Sequence, residues 1–140
     1  MPGEAAHHSV SVAGVVIDEK GRTLVIQRRD NGHWEPPGGV LERDESIIEG
    51  LLREVKEETG LRIRAGGIIG RRVHPATGRT MVYMAARPTH GTDVFVGDPE
   101  ELAEVRWVTA DEADELMGGK VYDPVRDHLR RTLDAPTTEL

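Results

Sequence analysis

Glu54, Glu57 and Glu58 follow closely on a glycine-rich turn at Gly38-Gly39, at spacings that suit one side of a helix. At about 100° per residue the three carboxylates share an arc of roughly 100°. Ile47, Ile48, Leu51, Leu52 and Val55 fill the neighbouring arc, so one face is expected to pack while the adjacent edge presents oxygen ligands. Carboxylates crowded together repel one another, and each resists being charged beside the others. A hard divalent cation such as magnesium relieves that conflict, because it takes carboxylate and water oxygens and commonly bridges protein to a substrate phosphate. The plainer reading of a Glu-rich helix is a solvated face with i,i+4 pairs such as Arg53 with Glu57.

The surrounding elements must hold that edge in place. Val10 to Asp18 is a β-rich run without strict alternation, which predicts a strand buried on both faces. Asp18-Glu19-Lys20-Gly21 then reads as a turn into Thr23–Arg28, opening like a hairpin. From Asp30 to Gly39 the paired prolines deny ladder donors and the paired glycines permit unusual backbone angles, predicting a shaped loop without regular structure. Asp44 and Ser46 are candidate N-caps, so the helix should begin near Ser46 and stop at Gly60. Gly50 sits inside it at a cost of about 1 kcal/mol relative to alanine. Farther on, 62–72 and 79–87 read as strands joined by a turn around Pro75–Gly78, with another short strand at Glu104–Val108. Asp111–Met117 reads as a short helix. Pro124–Leu133 reads as a longer one, with Val125, Leu129 and Leu133 at helical spacing. Alternating strands and helices imply an α/β fold, a mixed sheet covered by helices on both faces.

The stretch from Gly39 to Leu61 resembles the Nudix box, G-x5-E-x7-R-E-U-x-E-E-x-G-U with U a bulky aliphatic residue. Gly39, Glu45, Arg53, Glu54, Val55, Glu57, Glu58, Gly60 and Leu61 fill every specified position. A chance match in a chain of this length is on the order of 10⁻⁸ to 10⁻⁷ from average composition. The resemblance implies a Nudix-type α/β/α sandwich and a hydrolase that cleaves a diphosphate linkage in a nucleoside diphosphate derivative. It also implies a magnesium site, or manganese in its place, built from Glu54, Glu57, Glu58 and the Gly39 carbonyl. Glu54 and Glu57 are candidate general bases; relatives that use a glutamate outside the box direct attention to Glu100, Glu101 and Glu104. Glu45 and Arg53 are expected to form a structural brace tying loop to helix, with Arg53 pointing away from the acidic trio. A competing role for Arg53 is phosphate binding. Gly50 either leaves room for a diphosphate or serves packing.

In HWEPPGG, Trp34 is a candidate for stacking on a base or for anchoring the loop. Arg28, Arg29, Arg71, Arg72, His74 and Arg79 form the one basic concentration; of these Arg28 and Arg72 are taken as substrate ligands, the rest as surface charge. His7 and His8 are expected to be solvated. Pro75 and Tyr83 stand where neither the ADP-ribose nor the dinucleoside polyphosphate subfamily pattern places its marker. An undecorated chain most resembles the MutT-like nucleoside triphosphate pyrophosphohydrolases. The alternatives are an ADP-ribose or sugar-nucleotide pyrophosphatase, or a nucleotide-sensing module without turnover.

Length and composition set the remaining expectations. The 140 residues suit a single domain, with about 1–8 and 135–140 flexible. No apolar run approaches the ~20 residues that span a bilayer and no signal peptide is evident, so a soluble cytoplasmic protein is expected. There is no cysteine, hence no disulfide or thiolate metal site. A net charge of −7 argues against nucleic-acid polymers as partners. A small nucleotide is the expected partner, and a homodimer is compatible with the sequence.

Overall fold

β1 (Val10–Val16) lacks alternation because both of its faces are covered. Val12 and Val16 pack with Leu51, Val55 and Val82 on one side, whereas Ala13 and Val15 pack with Tyr83, Val125 and Leu129 on the other. The computed structural model that shows this describes residues 10–75 and 77–133. His7, His8 and the stretches 1–8 and 135–140 lie outside the described residues.

The remaining elements are β2 (Thr23–Arg28), β3 (Trp34–Glu35), β4 (Gly38–Val40), α1 (Ile47–Thr59), β5 (Ile63–Val73), β6 (Thr80–Pro88), β7 (Leu102–Val108), α2 (Ala110–Leu116) and α3 (Asp123–Leu133). One sheet runs β4-β1-β6-β5 and the other β3-β2-β7. Parallel pairing of β1 with β6 makes the first sheet mixed, its other pairs being antiparallel. Residues of α1 pack on one face of that sheet and residues of α3 on the other. The α/β sandwich follows. Among the described residues no helix is long and apolar enough to cross a membrane.

The hairpin expected at β1–β2 closes only at its neck, in the single bridge Ile17↔Thr23. Asp18 is 3% exposed and accepts from the N–H groups of Lys20 (3.0 Å) and Arg22 (2.8 Å) and from Arg22 Nε (2.8 Å). This clamp turns the chain, and the two strands then diverge into different sheets. The segment 30–39 is also more ordered than a loop. β3 pairs with β2 and β4 with β1, so Pro36-Pro37 carries the chain between sheets while flanking residues supply the ladder. Pro37 contributes its carbonyl, which accepts from Gly14 N–H at 2.8 Å.

Helix α1 starts and stops where its caps dictate. The Ser46 side chain accepts from Glu49 N–H, and the Glu49 carboxylate accepts from Ser46 N–H. Gly60 ends the helix at φ 76°, the left-handed conformation that favours glycine. The buried stripe is narrower than the apolar arc: Leu51 and Val55 are fully buried, but Ile48 is 50% and Leu52 38% exposed. Those two lie on the outer side of the arc, beyond what the sheet covers.

Candidate active site

Both glycines before the helix are required by close approaches. A Cβ on Gly38 would strike the Val12 carbonyl oxygen and lie 2.7 Å from Ala13 Cα, so the β4–β1 pairing excludes it. A Cβ on Gly39 would fall on the Glu54 carboxylate. The strand end therefore meets the acidic edge of α1 directly: Gly38 N–H donates to Glu58 Oε1 at 2.9 Å.

Glu54 and Glu58 line a cleft of about 880 Å³ together with Gly38, Gly39, Glu35 and Glu101. Burial pushes the Glu58 carboxyl up to about 8; the Gly38 N–H opposes this, and the charges of Glu54, Glu35 and Glu101 add to it. Glu54 is raised by burial against the pull of Arg53. Burial raises Glu35 as well, with Arg28 opposing. Glu57 is different. Its side chain is 59% exposed, pairs with Arg53 and does not line the cleft.

Arg53 does not point away from the trio. Its Nε and Nη2 fork Glu45 at 2.6 and 2.9 Å, and its Nη1 reaches Glu54 at 3.1 Å and Glu57 at 3.2 Å. The reason is angular: Arg53 is only about 40° from Glu57 on the helix. The fork holds Glu45 below the usual carboxylate range. Gly50 makes room for this loop, since a Cβ there would collide with Leu41 and come 3.1 Å from Glu45 Oε1. Its space serves packing.

Of the glutamates outside the box, Glu101 lines the cleft. Glu104 turns to Arg106 at 2.8 Å, and Glu100 is exposed. A strap over 89–101 leads to Glu101. In it Phe95 N–H donates to Thr59 O (3.1 Å) and Gly97 N–H to Glu58 O (2.9 Å), satisfying carbonyls at the end of α1. Arg29 N–H then holds Glu101 O at 2.8 Å.

Arg28 lines the cleft, but Asp30 forks it at 2.8 and 3.0 Å. Trp34 also lines the cleft while packing against the cluster of Val25, Val108 and Ala113, with the Arg106 guanidinium 4.8 Å over its ring. Arg72 lies at the opposite edge of the sheet beside Tyr83 and Tyr122. Sequence reasoning passed over Glu35, Lys120 and Tyr122. Glu35 carried a signal, an acid inside the Trp-Pro-Pro-Gly-Gly run, whereas Tyr122 and Lys120 are brought to the cleft only by the fold.

No three Asp, Glu or His side chains among the described residues converge as a metal cage; Glu57 is paired with Arg53 at 3.2 Å. The donor chemistry nonetheless fits a hard cation. At its β4 edge the cleft gathers the carboxylates of Glu35, Glu54, Glu58 and Glu101, and burial together with the neighbouring acids keeps Glu58 from ionising, a conflict that positive charge resolves.

The chain matches the NUDIX domain family model over residues 7–129. It is 44% identical over 115 residues to a MutT-like protein of Streptomyces ambofaciens, covering 82% of this chain and 72% of that one. It is 36% identical to the CMP-5'-(N-acetyl-N-hydroxy-3-aminopropyl)phosphonate hydrolase of Streptomyces rubellomurinus, over 84% of this chain but 62% of the relative. Among solved structures, a MutT protein from Methanosarcina mazei Go1 superimposes with a TM-score of 0.70 at 29% identity, covering 87% and 92% of the two chains. A complete box on a helix beside a carboxylate-lined cleft, and these likenesses over most of the chain, make this protein a member of the Nudix family of hydrolases.

Proposed function

We propose that the protein cleaves a diphosphate linkage in a nucleoside diphosphate derivative, using a divalent ion held by Glu54, Glu57, Glu58 and the Gly39 carbonyl. The observation that carries this reading is the meeting of Gly38-Gly39 with Glu54 and Glu58 in a cleft where burial, and then neighbouring acids, resist ionisation of the carboxylates. When bound, magnesium or manganese would neutralise both the carboxylates and the diphosphate. The Glu45–Arg53 fork braces the loop that carries Gly39, and Glu57 needs only to exchange its exposed Arg53 contact to join the site. Water attacks one phosphorus, the anhydride P–O bond breaks, and the proton of the water passes to a carboxylate. Glu54 and Glu101 face the cleft and can take it, and Glu57 becomes a third candidate once it joins the site.

Trp34, Arg28 and Arg72 line the space left for the rest of the substrate. Likeness to MutT proteins supports a nucleoside triphosphate, cleaved to monophosphate and pyrophosphate. A second reading, a nucleotide joined to another group, is supported by the relative whose name gives a CMP-linked phosphonate. Incubating the protein and magnesium with a panel of nucleoside triphosphates, ADP-ribose and sugar nucleotides, then identifying products, tests both. Pyrophosphate release supports the first and ribose 5-phosphate from ADP-ribose the second; tight binding without turnover on every compound would overturn the hydrolytic reading.

A further inference from the structure

The cleft is acidic at one edge of its sheet and basic at the other. β4, carrying Gly38 and Gly39, and β5, carrying Arg72, are opposite edges of the four-stranded sheet. Three strand spacings separate them, roughly 14 Å. Glu35, Glu54, Glu58 and Glu101 line the cleft toward β4; Arg72, Arg79 and Lys120 line it toward β5 and its neighbouring turns. Among the described residues none of those three cations is ion-paired with an acidic side chain. In a chain of net charge −7, with acids in excess, that grouping suits an anionic ligand.

Arg72 is also held in place. Its Nη2 donates to the Tyr83 hydroxyl at 3.1 Å, and its guanidinium carbon lies 4.7 Å from the Tyr122 ring centroid and 5.8 Å from that of Tyr83. The Tyr122 hydroxyl is itself fixed, donating to Arg71 O at 2.8 Å. Both rings are thus turned on the arginine, and this edge offers charge more than a stacking face. Arg72 Nε is buried without a hydrogen-bond partner, so the positive charge there is not fully compensated.

We propose that the natural substrate carries a second phosphate, remote from the diphosphate that is cleaved, and that Arg72, Arg79 and Lys120 bind it. The proposal rests on diphosphate cleavage at the β4 edge. It narrows that reading from nucleoside triphosphates, whose phosphates form one chain, to nucleoside-diphosphate-linked compounds that carry a separate phosphate monoester away from the diphosphate. Arginine forks and a lysine point charge suit a phosphate monoester, and holding the substrate at a second, remote point helps fix the scissile linkage at the β4 edge.

The test compares pairs that differ only in the remote phosphate: coenzyme A with dephospho-coenzyme A, and 2′-phospho-ADP-ribose with ADP-ribose. At least one phosphorylated member should show a kcat/KM about tenfold higher than its partner, carried mainly by KM and shrinking as salt is raised. The double substitution Arg79→Gln with Lys120→Gln, checked by melting curve, should bring that ratio toward one. Equal kcat/KM within both pairs, or a ratio that survives the double substitution, overturns the proposal, as does turnover confined to nucleoside triphosphates. If no diphosphate is cleaved, the underlying reading fails, and calorimetric titration of the same pairs decides the second phosphate separately. Tighter binding of a phosphorylated member, lost on double substitution, upholds it; equal affinities refute it.

Discussion

Glu58 keeps its proton in the fold up to about pH 8, whereas the ordinary glutamate value is 4.5. Between those two values the native protein binds a proton that the unfolded chain has released, so without metal this residue lowers stability as pH rises through the window. Melting curves in a chelator from pH 5 to 9 should therefore fall more steeply for the wild type than for Glu58→Gln, and parallel curves would sink the assignment. The same variant should bind magnesium more weakly by calorimetry and lose most of its turnover while staying folded. Glu45 and Arg53 make a second residue-scale case. Their fork predicts that Glu45→Gln with Arg53→Gln destabilises less than the two single changes added together, with a coupling of about 1 kcal/mol or more in denaturant melts. Strict additivity would contradict the brace. The Glu45–Arg53 bridge was implied by the resemblance and the Arg53–Glu57 pair by i,i+4 spacing, whereas the reach of Arg53 to Glu54 shows only in the fold. Nothing in the sequence separated Glu101 from Glu100 and Glu104, because only the strap's path decides which acid meets the cleft.

At the scale of elements, adjacent glycines should respond differently. Gly38→Ala must open the β4–β1 pairing, since the new Cβ meets backbone, and should cost several kcal/mol in a thermal or urea melt. Gly39→Ala meets only the end of the Glu54 side chain. It should spare most of the stability yet cut kcat severely, so equal melting losses in both variants would refute this distinction. Gly97→Ala would push its Cβ into the Glu57 carbonyl oxygen. It should loosen the strap and lower activity through Glu101, visible as faster amide exchange over the 93–101 segment. Helix α1 was legible at both ends because its signals are local, Ser46 with Glu49 and then Gly60. β3 and β4 were not. They are two and three residues long, and their partners lie on strands earlier in the chain, so no pattern within 30–39 announces them.

For the molecule as a whole, the two-sheet arrangement was only partly legible: periodicity located most strands but could not say that β1 and β2 part company after Ile17↔Thr23. The parallel register of Val10–Val16 with Thr80–Ala86 joins segments roughly 70 residues apart, a loop whose closure entropy must be overcome before the pairing is gained. Such long-range pairings slow folding. The box helix, with its own caps, can form early on a growing chain, yet the cleft needs β5, β6 and α3 and exists only after most of the chain has left the ribosome. Acidic helix and basic edge are therefore supplied by different stretches of the chain. A chain interrupted between them carries the complete signature of the family and no place for a substrate.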